Sequence, residues 1–189
     1  MWAELPAGMV AERGLSEGLE LSEEELEEIG REGERALAME RALRLLSYRS
    51  RSRAEVTSRL RRHGHREDVV EDVVGRLEEL GYLDDAAFAR EVVRERSGRY
   101  GAQRVLGELR SKGVDRDIAR EVVDREYSGR SELKQARDLA SRRYNNREGS
   151  DAQARRVYGF LRRRGYPADV CAEIARDYRD TRPSSETGE

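Results

Sequence analysis

The side chains able to do chemistry in this sequence are few: His63 and His65, Cys171, the adjacent pair Asp84 and Asp85, and a large stock of arginine. The histidines stand in Arg61-Arg-His-Gly-His-Arg66, a basic setting that opposes both capture of a metal cation and general-base work. They are expected to close a helix end. Cys171 follows Val170 on the expected core face of a helix, with no histidine near it in sequence, which reads as a buried thiol rather than a nucleophile. A single cysteine forms no internal disulfide and no Cys/His cluster offers a zinc site, so a reducing, cytoplasmic setting is expected. Two neighbouring carboxylates could help to hold Mg2+, but no third or fourth at ligand spacing accompanies Asp84 and Asp85. They are expected to open the helix that runs through Phe88, Ala89, Val92 and Val93. Neither G-x4-G-K-[ST] nor G-x-G-x2-G occurs, so nothing points to nucleotide hydrolysis. The expectation is a protein that is not an enzyme and carries no cofactor or metal.

Arginine is the remaining candidate, at 35 of the 37 basic residues; only Lys112 and Lys134 are lysines. Its planar fork suits phosphate and carboxylate, although a GC-rich genome would produce the same preference. One set, Arg49, Arg51 and Arg53, then Arg94, Arg96, Arg99 and Arg104, brackets two corresponding turns, where guanidinium groups could track phosphates or an acidic protein groove. A second set, Arg61-Arg62, Arg110 with Lys112, and Arg162-Arg163-Arg164, recurs at helix C-termini, where the helix dipole alone accounts for roughly 0.3 to 1 kcal/mol per charge. Tyr82, Tyr100 and Tyr166 each fall at a joint or turn, so their rings are expected to pack over helix ends rather than to stack on bases.

The elements that carry these residues follow from an internal repeat. Val56-Thr-Ser-Arg-Leu60-Arg-Arg-His-Gly64, Val105-Leu-Gly-Glu-Leu109-Arg-Ser-Lys-Gly113 and Val157-Tyr-Gly-Phe-Leu161-Arg-Arg-Arg-Gly165 all read V-x3-L-R-x2-G. Four residues after each glycine comes an aspartate with a β-branched residue: Asp68-Val69, Asp117-Ile118 and Asp169-Val170. Valine and leucine four apart share a helix face, the glycine supplies a left-handed stop, and the aspartate sits near the start of the next helix. Ahead of each V-x3-L helix lies another amphipathic stretch: Ala42 to Arg49, Ala86 to Arg96, and Glu132 to Tyr144. Each unit is thus three helices.

Composition agrees. Charged residues make up 40% and hydrophobic ones 37%, with mean hydropathy −0.92, so the core must be thin; with only 3 Pro, helix is favoured over a β sandwich. The net charge of −2 conceals an asymmetry: residues 1–40 carry 12 acidic and 3 basic side chains, a net of −9, whereas residues 41–182 carry +9. No basic segment followed by an apolar one opens the sequence, and no stretch approaches 18 apolar residues, so secretion and membrane spanning are not expected. The expected architecture is all-α: an elongated, curved array of three tandem three-helix repeats, about nine helices, with an acidic N-terminal extension. The expected bounds are an acidic, partly ordered arm over 1–35, repeats over 36–83, 84–128 and 129–180, and a frayed tail over 181–189. Ser22-Glu23-Glu24-Glu25 is a capping box opening a short helix in the arm, and Gly30 and Gly33 are expected to weaken its continuation into Ala36 to Leu46.

The stretch Ala42-Leu-Arg-Leu-Leu-Ser-Tyr-Arg-Ser-Arg-Ser52, the helix ending in Leu60-Arg-Arg-His-Gly64, Gly81-Tyr-Leu-Asp-Asp-Ala-Ala-Phe-Ala89, Arg96, Tyr100-Gly101 and Glu108-Leu-Arg-Ser-Lys-Gly-Val114 together resemble the RecX family of recombinase regulators, over about residues 38–178. Repeat three matches more loosely, and Tyr144-Asn-Asn-Arg147 with Glu148-Gly149 lengthens its first turn. The resemblance implies a modulator of the RecA recombinase, built of tandem three-helix repeats. Such a protein lies in the groove of the RecA filament on single-stranded DNA and restrains its ATPase, strand-exchange and coprotease activities. It further implies a monomer that meets DNA weakly or through the filament. Arg49, Arg51, Arg96, Arg99, Arg104 and Lys112 are the expected contacts to filament or phosphate. Leu46, Leu60, Phe88 and Leu109 are expected in the core, Gly64, Gly101 and Gly113 at turns, and Asp84 and Asp85 at the joint between units. Two other readings stand beside this one. A helix-turn-helix repeat protein could bind duplex DNA directly, though candidate recognition helices such as Glu67-Asp-Val-Val-Glu-Asp72 are acidic; a helical scaffold could serve an unrelated partner.

Overall fold

Serine or aspartate caps the start of six of the described helices, and a left-handed glycine follows the end of the second helix in each repeat. The computed structural model describes residues 5–144 and 149–180, and every regular element among them is an α-helix. In chain order these are α1 (Ala7–Glu12), α2 (Glu23–Tyr48), α3 (Arg53–Arg62), α4 (Glu67–Glu79), α5 (Asp85–Arg96), α6 (Ala102–Ser111), α7 (Arg116–Tyr127), α8 (Glu132–Arg143), α9 (Asp151–Arg163) and α10 (Ala168–Asp180). From α2 onward they fall into three successive trios, as the repeat requires; α1 is additional and lies in the N-terminal segment. The expected tail from residue 181 and the lengthened turn at 145–148 lie outside the described residues.

Local chemistry sets the ends. Ser52 accepts the Glu55 N–H at 3.1 Å while the Glu55 carboxylate accepts the Ser52 N–H at 3.3 Å, a reciprocal cap for α3. Ser131 and Ser150 accept the N–H groups of Lys134 and Gln153, and Asp84 accepts that of Ala87 at 2.9 Å. The three repeat glycines, Gly64, Gly113 and Gly165, lie at φ +85°, +76° and +85°, the left-handed stop that the motif predicts. Asp68, Asp117 and Asp169 are each the second residue of a helix. They complement the dipole there; the residue whose side chain caps α7 is Asp115, which accepts from Asp117 and Ile118.

The N-terminal segment departs from expectation. One 26-residue helix, α2, runs from Glu23 through Gly30 and Gly33 to Tyr48. Two effects carry it past the glycines, each of which costs about 1 kcal/mol against alanine. The Ser22–Glu25 capping box and three leading glutamates secure its start. Gly33 also belongs to the buried stripe Ile29, Gly33, Ala38 and Ala42, so tertiary packing rewards the bare backbone. Glu34 accepts the Arg66 N–H at 2.7 Å, Arg35 reaches Asp72 on α4, and Arg13 after α1 reaches Glu32, all of which hold this stretch to the first repeat.

The chain divides into two compact units, Met1–Phe88 and Ala89–Glu189, with α5 crossing the division. In the first, Val56 and Leu60 of α3 and Val69, Val70, Val73, Val74 and Leu77 of α4 close on Ala38 and Ala42, with Leu46 and Met39 packed at the edge. The alanines let α2 approach closely, and each fully buried valine or leucine contributes about 1.5 to 3 kcal/mol. In the second, Ala136, Ala140, Val157, Phe160, Leu161, Tyr166, Cys171, Ile174 and Tyr178 form one cluster. Val105, Leu109, Ala119, Val122 and Val123 occupy the corresponding positions of the middle repeat and are buried, while Phe88 is 4% exposed.

Candidate partner-binding surface

Six basic residues stand out in the sequence, and the structure treats them differently. In the first unit, Arg49 lays its fork on Glu55 (Nη2 to Oε1 2.8 Å, Nη1 to Oε2 3.2 Å) and donates to the Ser50 carbonyl. That pairing holds its pKa above the ordinary arginine value. Arg51, partly buried, donates from Nε to the Leu45 carbonyl at 3.1 Å; burial first, then Arg49, lowers its pKa. In the second unit, Arg96 donates from Nε and Nη2 to Glu108 and from Nη1 to Glu95 at 2.6 Å. Arg49 and Arg96 are therefore neutralised by carboxylates of their own chain and fasten the turns before α3 and α6.

Arg99 and Arg104 are exposed, and no carboxylate pairs with either side chain among the described residues. They stand on either side of Gly101, where the backbone of the α9–α10 turn meets the start of α6. The Gly101 N–H donates to the Arg164 carbonyl at 2.9 Å, and Arg164 Nη1 donates to the Arg99 carbonyl at 2.8 Å. A β-carbon on Gly101 would stand 2.5 Å from the Gly165 carbonyl oxygen, and one on Gly165 would run into the Arg104 backbone nitrogen. Only a pair of glycines permits this approach. Lys112 is the C-cap of α6, its N–H shared between the carbonyls of Glu108 and Leu109.

Two carboxylates do work that local sequence does not announce. Asp85, the first residue of α5, accepts the Arg53 N–H at 2.8 Å and so completes the start of α3. Burial raises its pKa, against the opposing bond from Arg53. Glu132, the first residue of α8, accepts the Ala102 N–H at the start of α6 at 3.5 Å. The same position of successive repeats thus finishes the second helix of the repeat before it, some 32 and 30 residues earlier in sequence.

The other reactive side chains are quiet. His63 is the C-cap of α3, and His65 lies with Nδ1 3.8 Å from Glu34 and a buried Nε2 that has no partner among the described residues. Burial, followed by Arg41, holds both imidazoles below their ordinary pKa. The Cys171 thiol is buried, and burial pushes its pKa up to about 11. Among the described residues no group of three or more His, Cys, Asp or Glu is placed to hold a metal, and no helix is long and apolar enough to cross a membrane.

Comparison with known proteins gives a consistent result. Residues 38–77, 84–123 and 131–174 match in turn the models of the first, second and third three-helix domains of RecX. The chain is 41% identical over 139 residues to the regulatory protein RecX of Thermobifida fusca, covering 71% of this chain and 75% of the relative. It is 39% identical over 160 residues to that of Corynebacterium efficiens, covering 80% and 76%. Among solved structures, RecX from Lactobacillus salivarius superposes with a TM-score of 0.67 at 23% identity, over 77% of this chain and 96% of that one. A second RecX crystal structure gives 0.72 at 24% identity, over 90% and 87%.

Proposed function

This chain belongs to the RecX family of regulatory proteins, and from that premise we propose that it binds the RecA filament on single-stranded DNA and restrains its ATPase, strand-exchange and coprotease activities without chemistry of its own. The observation that carries the reading is the run of three family domains in order through one chain, since a series of similar surfaces can engage successive, identical filament subunits. Individually weak contacts then add through effective concentration. The protein acts as a monomer in the cytoplasm.

Within this reading Arg51, Arg99, Arg104 and Lys112 meet acidic filament surface or phosphate. Arg49 and Arg96, held by Glu55 and Glu108, position the turns that present them. The test is the steady-state ATPase rate of the cognate RecA on single-stranded DNA, titrated with this protein at two salt concentrations. Inhibition well below one copy per RecA subunit is expected. No inhibition at either salt, with no binding, overturns the reading, and Arg99→Glu with Arg104→Glu binding as tightly as the wild-type overturns the assignment of contacts.

A further inference from the structure

Arginines without an ion pair among the described residues occur along the chain, but on α9 and its C-cap five of the ten residues 155–164 are arginine and none is acidic. In the first unit, Arg35, Arg61 and Arg66 each rest on a carboxylate. On α9, Arg155, Arg156 and Arg163 are exposed and form no ion pair among the described residues, and the one acid of the helix, Asp151, is its first residue. Tyr158 is 37% exposed and stands one turn beyond Arg155 and one turn before Arg162. Arg163 lies back along the helix, its Nη1 3.2 Å from the place where a β-carbon of Gly159 would be, so the glycine leaves room for a guanidinium one residue along from the tyrosine.

The positive charge continues past the end of the helix. Arg143 and Arg164 both stand over the Phe160 ring, at 5.4 and 4.6 Å from its centre, and neither pairs with a carboxylate among the described residues. Like charges held this close repel, and an external anion relieves the repulsion. An acidic peptide would bring charge but no flat surface for Tyr158. A duplex would bring charge with its base faces already stacked. A single strand brings both phosphates at regular intervals and free base faces.

We infer that α9 is a direct contact for single-stranded nucleic acid, with Arg155, Arg156 and Arg163 on phosphates and Tyr158 stacked on a base. This deepens the regulator reading, on which it rests for where the strand is met, but it is read without any recombinase. The experiment is fluorescence anisotropy of a short labelled oligothymidylate with the full chain over a series of salt concentrations. The affinity of the wild-type should fall with salt with a logarithmic slope of about −2, from roughly −0.7 per arginine–phosphate contact. Arg155→Gln, Arg156→Gln and Arg163→Gln together should abolish most of that slope, while Arg31→Gln, on α2, leaves it unchanged. Tyr158→Ala should weaken binding about tenfold with the slope retained, and Tyr158→Phe should restore it. Each variant is compared at equal helical circular dichroism and thermal midpoint. Equal binding of a duplex of the same length or competition by polyglutamate, or an unchanged slope in the triple variant, overturns the inference. Failure of the regulator reading shows instead as absence of ATPase inhibition by the wild-type chain.

Discussion

Alanine in place of Gly101, the N-cap of α6, and alanine in place of Gly107, within α6, should change stability in opposite directions. At Gly101 φ is −75°, so the new residue meets no backbone strain; the whole effect comes from its β-carbon, placed 2.5 Å from the Gly165 oxygen and 2.7 Å from the Gly165 carbonyl carbon. Both atoms are backbone and cannot rotate away. Forced overpacking costs about 1 to 3 kcal/mol, and separating the two strands of chain also breaks the 2.9 Å bond from the Gly101 N–H to the Arg164 carbonyl, worth about 1 kcal/mol. The expected loss is about 2 to 4 kcal/mol, a fall in thermal midpoint of roughly 4 to 16 °C for a chain of this size. Gly107 lies inside α6 with open space around its missing side chain, so alanine there should gain up to about 1 kcal/mol, or roughly 2 to 4 °C. Calorimetry or circular dichroism melting of the two variants reads both signs. If Gly101→Ala melts at or above the wild-type temperature, the close approach of the two turns does not exist as described.

Other outcomes follow from the buried titratable groups and caps. His65 has a depressed folded pKa, so the unfolded chain takes up its proton more readily; the stability is complete above the ordinary value of 6.5 and is lost as pH falls through it. Melting between about pH 7.5 and 5.5 should show a fall that His65→Gln flattens, and an equal fall in both proteins refutes this. Asp85 is the opposite case: its folded pKa is raised, so its contribution is complete below the ordinary 3.8 and is lost as pH rises through the folded value. Asp85→Asn, which keeps an oxygen for the Arg53 N–H and carries no charge, should be at least as stable as the wild-type at neutral pH, whereas Asp85→Ala should lose about 1 kcal/mol. Equal destabilisation by both would show that charge, not the accepting oxygen, matters there. Cys171, buried with its pKa at about 11, should react with a disulfide reagent only as fast as the chain unfolds; rapid reaction of the folded protein would contradict its burial.

The repeat made most of the helical architecture legible. A valine, a leucine and a glycine at fixed spacing specify a buried face and a left-handed stop, and those are local properties of a helix; Val56, Leu60, Val105, Leu109, Val157 and Leu161 are all fully buried. The continuity of α2 was only partly legible: the capping box that secures its start is local, but the burial of Gly33 is tertiary, and the contacts that hold its middle to the first repeat, to Asp72 and Arg66, come from more than thirty residues away. Nor was the division among the arginines. Spacing places Arg49 and Arg96 at equivalent turns, but whether a guanidinium faces outward depends on the carboxylates that the fold brings to it, here Glu55 and Glu108. The cationic exposed side of α9 ran from two residues before the quoted repeat into it, and its signal was present: five arginines over 155–164 with no acid among them. Helix-dipole stabilisation accounts for the last of these but not for Arg155 and Arg156 in mid-helix.

The carboxylates of Asp85 and Glu132 also bear on how the chain is made. During synthesis α3 emerges about 32 residues before the oxygen that completes its start, an interval of a few seconds at roughly 5 to 20 residues per second. Until then the Arg53 amide has only water. A piece cut at residue 83 would contain every helix of the first trio yet lack the atom that finishes one of them, whereas the first compact unit, which runs to Phe88, contains it. The first two repeats are therefore each completed by the opening turn of the next, and nascent chains halted just before residue 85 or residue 132 should be more open to proteases than chains halted one turn later.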